Sequence, residues 1–138
     1  MKKKILILGV TGQDGSFFSK FLVNKNFQVY GLVRKSATGN LRNIKNLIET
    51  SNFQIRHGDL LDLISIEKVI REIKPDEIYN FADQDHVRWS FELPSYSFDV
   101  TGSSVLKLLE IIRNHSPKSK FFQPLSSNMY GGSKSNKQ

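Results

Sequence analysis

Residues 5–9 form a short apolar run, Ile5-Leu6-Ile7-Leu8-Gly9, that opens into the loop Gly9-Val10-Thr11-Gly12-Gln13-Asp14-Gly15 and then into a helical pattern. That order constrains the fold more than any other feature of the chain. A run that is apolar at consecutive positions suits a strand buried on both faces. The glycine spacing is G-x-x-G-x-x-G, not the stricter G-x-G-x-x-G, but its physical use is the same. Small residues let the backbone approach a pyrophosphate whose charge rests at a helix N-terminus. Gly9, Thr11, Gly12, Gln13, Asp14 and Gly15 are therefore candidate cofactor contacts. A tight turn that needs glycine for steric reasons alone is the plain alternative. The strand before the loop and the helix after it favour dinucleotide binding.

The same alternation continues downstream. Residues 16–24 place Phe17, Phe18, Phe21 and Leu22 on one helical face, with Ser19 and Lys20 outside. Residues 27–33 read as a strand, and Leu41, Ile44, Leu47 and Ile48 make a second helical stripe. A short strand at 53–56 precedes a helix marked by Ile66, Val69, Ile70 and Ile73 and stopped by Pro75. A fourth strand spans 77–81. A fourth helix spans 103–113, apolar at Val105, Leu106, Leu108, Leu109 and Ile112, and a fifth strand spans 121–125. Five alternations with short connections predict an α/β fold, a doubly wound parallel sheet of Rossmann-like type, with its ligand at the carboxyl ends of the strands.

With 138 residues, this is one domain. Residues 1–130 form the nucleotide-binding unit, and the polar, glycine-rich stretch 131–138 reads as a loose tail. The chain contains no Cys, which removes disulfides, thiolate metal sites and cysteine nucleophiles. Lys and Arg number 20 against 13 Asp and Glu, a net charge of +7 that attracts anions. The basic residues are scattered and not interleaved with aromatics, so no nucleic-acid partner is expected. No apolar run reaches the roughly 18 residues of a membrane span. The stretch after Lys2-Lys3-Lys4 is too short for a secretory signal, so no membrane and a cytoplasmic setting are expected.

The end of the second strand meets the adenosine ribose in such a fold, and an NAD-selective site wants a carboxylate there. This chain has Arg34, Lys35 and Ser36 instead, a cationic fork with a hydroxyl that suits a 2′-phosphate and hence NADP. A solvated basic pair is the alternative. After the third strand comes His57-Gly58-Asp59-Leu60. Asp59 can accept from the adenine amino group while Leu60 covers the ring, or Asp59 can cap the following helix.

Three segments together are similar to the GDP-mannose 4,6-dehydratase family of the extended short-chain dehydrogenase/reductase superfamily: residues 9–16, residues 31–36 and residues 57–60. The runs Glu77-Ile78-Tyr79-Asn80-Phe81-Ala82-Asp83-Gln84-Asp85-His86-Val87 and Ser90-Phe91-Glu92-Leu93-Pro94 continue the likeness. The resemblance covers nearly all of this chain but only about the first 40% of a usual family member. It implies an NADP-dependent sugar-nucleotide lyase acting on GDP-mannose. Such an enzyme oxidises C4, eliminates water across C5 and C6, and returns the hydride to C6. It further implies an NADP site lined by Gly9, Thr11, Gly12, Gln13, Asp14, Arg34, Asp59, Leu60, Phe81, Ala82, Gln84 and Tyr96, and a possible homo-oligomer. Tyr96 read by itself can equally pack beside the fourth helix.

The chain departs from the family at its chemistry. Leu125-Ser126-Ser127-Asn128-Met129-Tyr130-Gly131 lies where the resemblance puts S-T-S-E-L/M-Y-G. Ser126, at the threonine position, keeps a hydroxyl and is the one candidate catalytic residue. Asn128 replaces the glutamate that would take the C5 proton, and an amide offers no basic lone pair near neutral pH. Tyr130 and Lys134 match a Tyr-x-x-x-Lys spacing by coincidence, because Gly131 and Gly132 disfavour the helix that would align them. The matching catalytic pair would lie beyond residue 138. Asp83 and Asp85 stand where the family has small or hydroxyl residues. They would repel a polyphosphate, and with His86 alone they make no metal site. These departures leave two other readings: a non-enzymatic NADP-binding module, and a fragment of another sugar-nucleotide epimerase or dehydratase.

Overall fold

The computed structural model describes residues 2–37, 39–126 and 130. Its first strand, β1 (Lys4–Leu8), runs through the middle of a five-stranded, all-parallel sheet. Around it lie β2 (Gln28–Val33), β3 (Phe53–His57), β4 (Glu77–Asn80) and β5 (Lys120–Phe122), in the order β3-β2-β1-β4-β5. The chain moves outward from β1 to β2 and β3, then crosses to β4 on the other side. The strand order therefore reverses between β1 and β4, and a crevice opens at such a point.

The alternation of β1 explains why it is apolar without a break from Ile5 to Leu8. Ile5 and Ile7 face one layer, with Leu22, Val23, Val29, Ile44, Leu47 and Phe53. Leu6 and Leu8 face the other, with Ile66, Val69, Ile70, Ile78, Leu108 and Ile112. The first layer is covered by α1 (Gln13–Asn24) and by a 3₁₀ turn (Arg42–Ile44) leading into α2 (Lys45–Ile48). The second is covered by α3 (Leu63–Ile73) and α6 (Ser104–His115). Lys74, in left-handed backbone at φ 47°, ends α3 one residue before Pro75.

Several expectations are corrected. On α1 Leu22 is buried as expected, but Ser19 is fully buried and Gly15 and Ser16 are buried beside it, whereas Phe17 is 70% and Phe21 53% exposed. The helix lies so close to the glycine loop that only small side chains fit beneath it. A Cβ on Gly15 would stand 2.3 Å from the Gly9 carbonyl oxygen. Phe18 turns sideways onto Tyr79 and Phe81, at ring-centroid distances of 4.7 and 5.8 Å. On α6, Leu108 and Ile112 are buried but Leu106 and Leu109 face outward. β5 ends at Phe122, before Pro124. Between β4 and α6 the chain also forms α4 (Val87–Glu92), α5 (Pro94–Phe98) and a π-helical turn (Asp99–Ser103), none of which the apolar spacing announces.

At the amino end of the sheet Lys3 Nζ reaches Glu77 at 2.6 Å, and the Tyr79 hydroxyl donates to the same carboxylate at 3.0 Å. The hydrogen bond from Lys3 holds the Glu77 carboxyl below its ordinary value, against the opposing effect of burial. A lowered folded-state value means that this stabilisation is complete above the ordinary carboxylate range and lost as pH falls through the folded value. Lys3→Met is therefore expected to cost about 1 kcal/mol or less at neutral pH. Denaturant titrations of the two proteins should converge as pH falls below the ordinary carboxylate range and through the lowered folded value. A gap independent of pH would show that the pair contributes through packing alone.

Candidate functional site

The loop after β1 is built by backbone geometry before any side chain acts. Gly9 sits at φ +74°, and a Cβ there would meet the backbone of Phe81 and Ala82 at 2.6 Å. Only glycine lets the loop press this closely against the end of β4. Gly12 N donates back to the Gly9 carbonyl at 3.0 Å, and Ser16 N to the Gly12 carbonyl at 3.1 Å. The N–H groups of the first turn of α1 are thereby directed past the sheet edge, where an anion is favoured. Asn43 Nδ2, from the 3₁₀ turn, donates to the Thr11 carbonyl at 2.8 Å and fixes the loop's outer peptide. Asn43→Ala is expected to weaken dinucleotide binding by about fivefold, the value of one lost hydrogen bond. Because Asn43 is exposed, its unfolding midpoint should stay within about 1 °C of the parent. A large midpoint shift with unchanged affinity would refute this role.

The loop borders a crevice of about 740 Å³ at the carboxyl ends of the strands, a size suited to a small-molecule ligand. Gly9, Thr11 and Gly12 form its floor, and Arg34 and Ser36 stand at the end of β2. Asp59 and Leu60 follow β3; Phe81, Ala82, Gln84 and Tyr96 lie beyond β4. Eleven residues expected to contact a cofactor thus line one cavity. Gln13 and Asp14 lie exposed in the first turn of α1, whereas Gly15 is buried beneath it, and Lys35 lines an adjoining shallow hollow with Arg34 and Ser36. Ser126 is exposed beyond β5 and is not among the lining residues; Asn128 and Lys134 lie outside the described residues.

Local contacts decide what each group can offer. The Asp59 carboxylate accepts from the Leu61 N–H at 2.9 Å, and the cap of α3 is Asp62, which accepts from the Ser65 N–H at 3.4 Å. The capping role considered for Asp59 is therefore corrected: a nearer acid holds it, and one Asp59 oxygen remains without a partner among the described residues. Among those residues no carboxylate pairs with the Arg34 guanidinium. Gln84 is committed to the loop itself: its amide donates to Ser97 Oγ at 2.8 Å and accepts from His86 N at 2.8 Å. Tyr96 lines the crevice and also packs on the core layer beneath α6.

Two contributors escaped sequence reasoning besides Asn43. Asn80 is 1% exposed, accepts from Ala82 N at 3.2 Å and donates to Gln123 at 2.8 Å, tying the crevice wall to β5. Its signal was present: a carboxamide at the end of an otherwise apolar strand must find partners. Trp89 lies on the crevice rim, reached through α4. Among the described residues no group of three or more His, Asp and Glu side chains could hold a metal ion, and no helix is long and apolar enough to cross a membrane.

Comparison with known proteins points the same way. Residues 6–138 match the profile of a family described as GDP-mannose 4,6 dehydratase. A GDP-mannose 4,6-dehydratase from Vibrio cholerae is 40% identical over 138 residues, covering 95% of this chain and 37% of that protein. The corresponding protein of Homo sapiens is 40% identical over 134 residues, covering 91% of this chain and 36% of its own length. Among solved structures, a Thermus thermophilus UDP-glucose 4-epimerase in complex with NAD superposes with a TM-score of 0.69 at 28% identity, covering 81% of this chain and 34% of that one. The chain thus spans a little over a third of the length of the relatives it matches.

Proposed function

Because the chain belongs to the GDP-mannose 4,6-dehydratase family, we propose that it is the NADP-holding part of a sugar-nucleotide lyase that acts on GDP-mannose. The observation that carries the reading is the meeting, in one crevice, of the glycine loop at the start of α1 with the Arg34 guanidinium, which no carboxylate among the described residues pairs. The residues fit such a cofactor. Gly9 and Gly15 admit no side chain, so the loop lies flat enough for a pyrophosphate to reach the N–H groups of α1. Arg34, with Lys35 and Ser36 beside it, would hold a 2′-phosphate; the Asp59 carboxylate would accept from the adenine amino group, and Leu60 would cover the ring.

When bound, the cofactor supplies hydride acceptance and return. This chain's residues bind and orient it, with the Thr11 and Ala82 backbones framing the crevice. Ser126 keeps a hydroxyl for a sugar oxygen. Asn128 can donate or accept a hydrogen bond but cannot remove a proton, so the elimination step is not expected from this chain. That substitution favours the second reading, a non-enzymatic NADP-binding module. A cytoplasmic setting and assembly as a homo-oligomer belong to the same proposal.

Calorimetric titration of the purified chain with NADPH and NADH tests the assignment. Saturable binding that favours NADPH is expected; equal or absent binding overturns it. No GDP-mannose turnover is expected, and turnover would overturn the role given to Asn128.

A further inference from the structure

The crevice is electrically lopsided. Its β2 end carries Arg34, with Lys35 alongside. Its β4 end carries Asp83 and Asp85, and the closest cation in sequence, Arg88, is already paired with Glu92 at 2.6 Å. The Asp83 carboxylate is held in place by the Thr101 hydroxyl and by the Gln84 N–H at 2.7 Å. Next to these acids the Trp89 indole stands 48% exposed on the rim, with the His86 ring 5.3 Å away.

In a sheet of this order the two halves of a dinucleotide lie on either side of the switch between β1 and β4. With the adenosine half over β2 and β3, the nicotinamide half would lie beyond β4, where residues 81–86 and Trp89 line the crevice. That half exists in two forms: a planar cation when oxidised and a neutral ring when reduced. Both forms share the same phosphates, riboses and adenine, so any repulsion between Asp83 or Asp85 and the phosphates is common to both and cancels in their comparison. What remains is the ring. Two carboxylates, of which Asp83 is held by hydrogen bonds, favour the cation, and an indole face adds cation–π attraction.

We infer that Asp83 and Asp85, with Trp89 as platform, make this crevice select the oxidised, cationic form of a nicotinamide dinucleotide over the reduced form. The inference rests on the dinucleotide reading given above. Both carboxylates are exposed, so the preference is screened by salt. At low ionic strength it amounts to about tenfold in affinity.

The test is a calorimetric titration of the whole chain with oxidised NADP, reduced NADP and adenosine 2′,5′-bisphosphate, each at low and high salt. The expected result is an oxidised-to-reduced preference of about tenfold that shrinks as salt rises. Asp83→Asn with Asp85→Asn should bring the ratio close to one. Because Asp83 also anchors the loop, Asp85→Asn alone is the second variant and should reduce the ratio by about threefold. A ratio of one or below in the parent chain, or a ratio that neither variant changes, overturns the inference. If adenosine 2′,5′-bisphosphate binds while the ratio is one, only this inference fails. If none of the three compounds binds, the dinucleotide reading fails with it.

Discussion

Gly9→Ala is expected to lower the free energy of unfolding by about 3 kcal/mol, and the thermal midpoint by about 10 °C. Two costs add. A residue with a Cβ pays about 1–2 kcal/mol to hold the left-handed backbone that Gly9 adopts. The new methyl would also stand 2.6 Å from the backbone of Phe81 and Ala82, and neither β1 nor β4 can retreat without breaking the parallel ladder that joins Leu8 to Asn80. Gly12→Ala is the informative contrast. Its Cβ would meet only the Gly9 carbonyl, at 3.2 Å, and Gly12 has an ordinary φ of −72°. That variant should unfold within about 1 kcal/mol of the parent yet bind dinucleotide at least tenfold more weakly, because the methyl projects onto the crevice floor. Denaturant unfolding and calorimetry on the two proteins separate the effects. Equal stability losses in both would mean that the loop's glycines serve the fold alone.

The second large effect concerns Arg34. Arg34→Ala is expected to weaken NADPH binding by about 100-fold while changing NADH binding by less than about threefold. A guanidinium that no carboxylate among the described residues pairs loses little when a phosphate arrives and gives two parallel hydrogen bonds in return. NADH lacks that phosphate. Arg34→Glu goes further: a carboxylate at this place can accept from a ribose hydroxyl, so the preference should turn toward NADH. Parallel loss of both cofactors on Arg34→Ala would move the 2′-phosphate contact to another side chain.

The sheet was legible in the sequence because β1 is apolar without a break from Ile5 to Leu8, and because the loop that follows it must be glycine wherever backbones meet. The candidate site was legible for the related reason that it gathers at strand ends, where Arg34, Asp59 and Ala82 each follow a recognisable strand. The face of α1 was not. Spacing puts Phe17 and Phe21 with Leu22, but the approach of the helix to the loop admits only Gly15, Ser16 and Ser19 beneath it, a tertiary constraint that a helical wheel does not contain. The segment from Val87 to Ser103 was missed because its side chains are largely exposed and carry no apolar period. The clamp from Asn43 to Thr11 spans 32 residues and joins a 3₁₀ turn to the glycine loop, so no local pattern announces it.

The position of Trp89 has a practical consequence. The chain contains a single tryptophan, and it stands half-exposed on the rim of the crevice beside His86. Ultraviolet emission from this protein therefore originates largely at one known address, and a reduced dinucleotide settling there would quench it by energy transfer. Occupancy can be watched optically in the unlabelled protein, as it happens.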